Sequence, residues 1–341
     1  MGKAAAARKL AAAAAYGGGG LSLLGASLYG VLRAEAKVAR KAIGRIDARV
    51  PDATGWYGRG RPGPAIKVAL LGDSSAAGYG VFTVEETPGA LLGSGIAAAA
   101  NRRVHLREFC KSGAKSSELG DQVAGALAVE PNVAVILIGA NDVTHRMSPQ
   151  ESVRYLSEAV RQLVDAGVAV VVGTCPDLGT VRPIPQPLRQ VARSWSRRLA
   201  AAQTIAVVEA GGRTVSLGSI LGPEFDAAPA LLFGPDRFHP SAAGYASLVG
   251  VLLPSTLAAL GLGPDDVPEP RRGEGVLPIS KAAVRASQTP GTELGGTEVD
   301  GSSRGRGGLW VTLMRRRRHT PVDAEAPASE ETGASEELVR D

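Results

Sequence analysis

Residues 68–81 read VALLGDSSAAGYGV. The short apolar run Val68 to Leu71 breaks into Gly72-Asp73-Ser74 and then into small residues, the pattern of a buried strand that delivers a serine at its C-terminal edge. In an open α/β sheet the chemistry lies outside the carboxyl ends of the strands, so a strand ending on a hydroxyl is a place to look for a nucleophile. Taken alone, Gly-Asp-Ser is more often a turn or a helix cap than a nucleophile.

Working outward, strand-like and helix-like stretches alternate from Ala65 to about Leu262. Strands are predicted at Ala65 to Leu71, Val104 to Phe109, Val133 to Ile138, Val168 to Gly173 and Ile205 to Glu209. Helices are predicted at Pro88 to Asn101, Ser117 to Ala128, Pro149 to Asp165 with Ser148 as N-cap, in a basic segment after the Pro-rich loop Pro176 to Pro187, and after Pro240. This alternation implies a three-layer αβα sandwich around a parallel sheet.

A serine hydroxyl needs a base within hydrogen-bond reach, usually a histidine oriented by a carboxylate. Of the four histidines, His105 lies in a predicted strand, His319 in the polar tail, and His145 beyond a strand end as a lesser candidate. His239 sits in Asp236-Arg237-Phe238-His239-Pro240, where a carboxylate three residues before the imidazole can orient the ring while proline starts the next helix. Ile138-Gly139-Ala140-Asn141-Asp142 ends the strongest strand; the Asn141 amide is either a donor to a developing oxyanion or an Asx turn. Ser112-Gly113-Ala114 offers a backbone N–H on a flexible glycine.

Together these segments resemble the SGNH (GDSL-type) hydrolase superfamily: its first block at Gly72-Asp73-Ser74, its second at Gly113, its third at Gly139-Ala140-Asn141-Asp142 and its fifth at Asp236-Arg237-Phe238-His239-Pro240. The resemblance covers roughly Pro64 to Leu262. It implies a flavodoxin-like parallel five-stranded sheet of order 2-1-3-4-5, with Ser74 as nucleophile, His239 as base and acid, and Asp236 as the orienting carboxylate. It also implies an oxyanion hole of the Ser74 and Gly113 backbone N–H groups and the Asn141 side chain. Ser75 stands in place of the leucine of the GDSL pattern, a position at which many relatives vary. Asp73 and Asp142 are given turn-bracing roles. The implied strand order separates Cys110 from Cys175 by three strand spacings, roughly 14 Å, so two free thiols are expected.

The ends of the chain lie outside that likeness. A charge-free run from Leu10 to Leu32 is long enough as a helix to cross a bilayer, and residues 1–36 are read as a membrane anchor or a signal peptide. Residues 37–63 follow as a charged helix and a Pro/Gly/Arg linker, 64–262 as the hydrolase domain, and 263–341 as a disordered tail. The match to Gly-x-Ser-x-Gly at Gly301 to Gly305 has no flanking strand or helix and is discounted.

The net charge of +5 comes from cations near the N-terminus, in Arg189 to Arg198 and in Arg315 to Arg318, without interleaved aromatics, which argues against nucleic acid. No zinc-type spacing and no P-loop occur, so no cofactor or metal is implied. The expected activity is that of a serine esterase working through an acyl-enzyme on a small ester or an acylated lipid or glycan. The rivals are an acyltransferase or deacetylase of cell-envelope glycan or lipid, and a non-catalytic tethered scaffold.

Overall fold

The computed structural model describes residues 26–43, 49–262 and the two-residue strand Glu293–Leu294. Five strands form the parallel centre of the sheet: β2 (Ile66–Gly72), β3 (Val104–Glu108), β4 (Val133–Leu137), β5 (Ala169–Gly173) and β6 (Arg213–Val215). Their spatial order is β3-β2-β4-β5-β6, which is 2-1-3-4-5 in chain order, as the resemblance implies. The sheet is wider than the five strands expected. Two antiparallel edge strands extend it, β1 (Gly55–Tyr57) against β3 and β7 (Glu293–Leu294) against β6. β1 lies upstream of Pro64, in the stretch whose Gly and Pro content reads as linker; a three-residue edge strand is too short to leave a periodic signal.

The helices are α1 (residues 26–42), α2 (Pro88–Ala100), α3 (Leu119–Leu127), α4 (Ala140–Thr144), α5 (Pro149–Asp165), α6 (Leu188–Glu209), α7 (Leu217–Ala227), α8 (Pro229–Leu232) and α9 (Ala242–Ala259). Strand residues alternate between two cores. Val68, Leu70, Val135 and Leu137 pack with Leu92 and Ile96 of α2, Leu221 and Phe225 of α7 and Leu252 of α9. Ala69, Leu71, Ala134 and Ile136 pack on the other face with Val123 of α3, Leu156 and Val160 of α5 and Val207 of α6. A sheet covered on both faces is why β4 is buried at every position and reads as an unbroken apolar run.

One expected strand is wrong. Ile205 to Glu209 forms the last turns of α6, and the outer parallel strand is Arg213–Val215. Gln203, Thr204, Val207 and Val208 are buried at helical spacing, so the β-branched run faces the core from a helix that the Ala-rich segment before it has already propagated. Among the described residues one helix, α9, is long and apolar enough to cross a membrane. It packs in the first core through Leu248, Val249 and Leu252, and its Tyr245 is fully buried. The run Leu10 to Leu32 and the tail from 263 lie largely outside the described residues.

Candidate active site

The site forms where the loops after β2 and β4 meet the loop before α9. Gly72 ends β2 at φ +136°, a conformation open to glycine, and the chain then turns through Asp73 and Ser74. Gln122 of α3 holds that turn: its Oε1 accepts from Gly72 N at 2.7 Å and its Nε2 donates to Gly72 O at 3.0 Å. Asp73 is buried and accepts from Ser75 N at 2.8 Å, so it braces the turn as expected. Burial pushes the Asp73 carboxyl up to about 6, against the opposing pull of the Ser75 N–H and of His239.

The segment around His239 is a closed loop. Gly234 N donates to His239 O at 2.8 Å, and Ser241 caps α9 by accepting from Gly244 N. Arg237 stands at φ +58° in the middle of this loop. Within it, Asp236 Oδ1 accepts from Phe238 N and His239 N at 3.0 Å, while Oδ2 receives His239 Nδ1 at 2.6 Å. His239 Nε2 lies 2.8 Å from Ser74 Oγ, 165 residues away in sequence. Burial raises the Asp236 pKa, but the His239 and backbone hydrogen bonds outweigh it and hold the carboxyl below its ordinary value. Asp236 therefore remains an acceptor, which fixes the imidazole with Nε2 facing the serine.

The remaining expected residues lie on loops linked to the Asp73–Ser74 turn through Asn141. Asn141 opens α4, and its amide nitrogen donates to Ala114 O at 3.1 Å and sits 3.5 Å from Asp73 Oδ2. That contact brings the Gly113–Ala114 loop beside the Asn141 side chain; Gly113 has φ +81° with open space around its Cα. Asp142 ties the two loops together by accepting from Ser116 N at 2.9 Å, from Ser152 Oγ at 2.6 Å and from Ser116 Oγ. Of the other histidines, His145 bonds Asn141 O at 2.9 Å and is exposed, and His105 stacks on Trp56 at the sheet edge. His319 and the Gly301 to Gly305 match lie outside the described residues. Cys110 and Cys175 are both free, and burial pushes both thiols up, so neither is an activated nucleophile.

Several supporting residues carry no sequence signal. Gln122 is one, and Gln203 is its counterpart on β4 and β5: it donates to Ile138 O at 3.1 Å and accepts from Cys175 N at 2.7 Å. The Tyr79 ring lies 4.5 Å from His239, and Tyr245 donates to Tyr79 O at 2.7 Å. Beside the serine, a cavity of about 80 Å³ runs from Asp73 and Ser75 past Phe238 to Leu217, Leu221 and Leu248. Chemically, a hydroxyl bonded to an imidazole oriented by a carboxylate is equipped for attack on a carbonyl carbon. Among the described residues no group of three or more His, Cys, Asp or Glu is placed to hold a metal ion.

The chain belongs to the GDSL-like lipase/acylhydrolase family, which it matches over residues 70–247. It is a serine hydrolase of the esterase type. It is 42% identical over 245 residues to the GDSL-like esterase Rv1075c of Mycobacterium tuberculosis (strain ATCC 25618 / H37Rv), a match covering 68% of this chain and 77% of that protein. Among solved structures it is similar to TesA, with a TM-score of 0.45 and 21% identity over 57% of this chain and 99% of that one. It is also similar to Axe2, an acetylxylan esterase from Geobacillus stearothermophilus, with a TM-score of 0.42 and 19% identity over 59% and 97% of the two chains.

Proposed function

We propose that this protein hydrolyses carboxylic esters through an acyl-enzyme on Ser74, with His239 as general base and acid and Asp236 as its orienting partner. The observation that carries this reading is the unbroken hydrogen-bond chain from Asp236 Oδ2 through the His239 ring to Ser74 Oγ. Ser74 Oγ bonds to the ester carbonyl carbon as its proton passes to His239 Nε2. The resulting oxyanion takes hydrogen bonds from the Ser74 and Gly113 N–H groups and the Asn141 amide, which gives up its long contact with Asp73. Collapse breaks the ester C–O bond and the leaving alkoxide takes the proton from His239. Water then attacks the acyl carbon, loses a proton to His239, and Ser74 recovers its own as the acid departs. The small cavity beside Ser75 suits a short acyl group.

The test is p-nitrophenyl ester hydrolysis by the full chain beside its Ser74→Ala and His239→Ala variants. Turnover lost in both variants supports the triad. Turnover retained in a folded Ser74→Ala protein overturns it. Added alcohols or glycans separate hydrolysis from acyl transfer, since hydrolysis gives only free acid. A folded chain that turns over no ester and resists a serine-directed fluorophosphonate is the scaffold.

We also propose that residues 64–262 are the catalytic unit and that the N-terminal segment holds it at a membrane. The charge-free run that begins at Leu10 supports this, as do Leu28 and Val31, which α1 leaves 54% and 46% exposed and which lie outside the pocket against α6. Membrane fractionation of the full chain against one lacking residues 1–25 tests it; equal recovery in the soluble fraction overturns it.

A further inference from the structure

Helix α1 lies upstream of the family match, yet it packs against the catalytic domain at the active site. Two contacts fix it there. Glu35 Oε2 accepts from Leu188 N at the start of α6 at 2.8 Å, and Arg237, in the loop that carries His239, donates to Ala42 O at 2.6 Å. Between α1 and α6 is an apolar chamber of about 520 Å³. Leu32 and Ala36 of α1 form one wall, and Leu188 and Trp195 of α6 form the other. Its inner end is Leu178 and Phe238, the two side chains that also line the small cavity beside Ser75. The two spaces thus lie on either side of one partition at the catalytic loop.

Their sizes differ in a way that divides an ester. A space of about 80 Å³ takes only a short acyl group, whereas about 520 Å³ falls in the range of pockets that enclose a whole ligand of moderate size. The chamber also reaches Thr144 and His145, whose side chains bond Asn141 O. Arg33, Arg40 and Arg146 line it, which disfavours a cationic ligand. We infer that the chamber walled by α1 receives the aliphatic part of the alcohol, making the substrate a short-chain acyl ester of a long, neutral or anionic lipid-like alcohol. This rests on the esterase reading of Ser74. Apolar contacts remote from the reacting bond contribute to turnover as well as binding, so α1 acts as a specificity element contributed from outside the family match.

The experiment uses the full chain and three esters: methyl acetate, dodecyl acetate and p-nitrophenyl laurate. Ala36→Trp fills the chamber from α1 and Ala192→Trp fills it from α6. The ratio of kcat/KM for dodecyl acetate to that for methyl acetate is expected to fall at least tenfold in both. Because the ratio is taken within one enzyme, partial loss of folded protein does not move it. A ratio unchanged within twofold in both variants overturns the inference, and so does a loss confined to p-nitrophenyl laurate, which would put the acyl chain in the chamber. Failure of the parent chain to hydrolyse any of the three, with Ser74→Ala no different, counts instead against the esterase reading.

Discussion

Gln122 grips the backbone of Gly72 from both sides, accepting from its N–H at 2.7 Å and donating to its carbonyl at 3.0 Å. The two residues are 50 apart in sequence and both are buried. Gly72 immediately precedes the Asp73–Ser74 turn, so α3 sets the height at which the serine leaves the sheet. Gln122→Ala removes both bonds and leaves Gly72 N without this acceptor, a loss of about 2–4 kcal/mol for two buried polar groups. Urea unfolding checks this, and kcat for a short ester should fall with it as the serine loses its fixed position.

Gly72 itself admits no side chain. At φ +136° a Cβ would run into the carbonyl oxygen of Leu137 on the neighbouring strand, and backbone on both sides cannot give way. Gly72→Ala is predicted to cost more than about 3 kcal/mol, from the disfavoured φ together with the overlap. Loss of soluble expression, or a midpoint far below that of the parent, is the expected result in a denaturation series.

On the proposed mechanism Asp236 orients His239 and does not itself react. In Asp236→Asn the amide can still accept from Phe238 N and His239 N, but it no longer holds His239 Nδ1 as a donor. kcat is predicted to fall by about 10³–10⁴, the scale expected when the wrong imidazole tautomer faces a serine, with little change in thermal midpoint. A pre-steady-state assay should show acylation slowed and no burst.

Stability should depend on pH in two opposite ways. Burial first, then the neighbouring Asp52 carboxylate, raises the Glu108 pKa from 4.5 to about 7, and its Oε1 has no hydrogen-bond partner. Because the native state then binds a proton the unfolded chain has released, stability falls as pH rises from about 4.5 to 7, by roughly 3 kcal/mol for a shift of that size. Asp73, raised to about 6, adds to the same slope. Asp236, held low, works the other way: its contribution is present above the ordinary carboxylate pKa and is lost as pH falls through its folded value. Chemical denaturation at pH 5 and pH 8 checks the sign, and Glu108→Gln should flatten the difference.

Much of the site was legible because its parts are local. Gly72-Asp73-Ser74, Gly139 to Asp142 and Asp236 to His239 each place a reactive or bracing group at a strand end or loop within a few residues, and the strands that carry them are apolar runs long enough to read. What was not legible depends on pairing across the chain. Gln122 and Gln203 look like ordinary polar residues on helices, and only the fold brings their amides to the backbone of Gly72, Ile138 and Cys175. Ile205 to Glu209 was misread because a β-branched run fits a strand or the buried face of a helix equally well, and the Ala-rich turns before it decide the matter. α1 runs unbroken from residue 26 to 42, with Leu32, Ala36 and Ala39 turned to one face.

Acylation of Ser74 is read from the mass of the intact full chain, quenched in acid during turnover of p-nitrophenyl butyrate and then mapped by peptide. A single butyryl group is expected on the peptide containing Ser74 in the parent chain, much less abundant in His239→Ala and absent from Ser74→Ala. Steady turnover by the parent chain with Ser74 unmodified at every time, or the butyryl group on another residue, would contradict it.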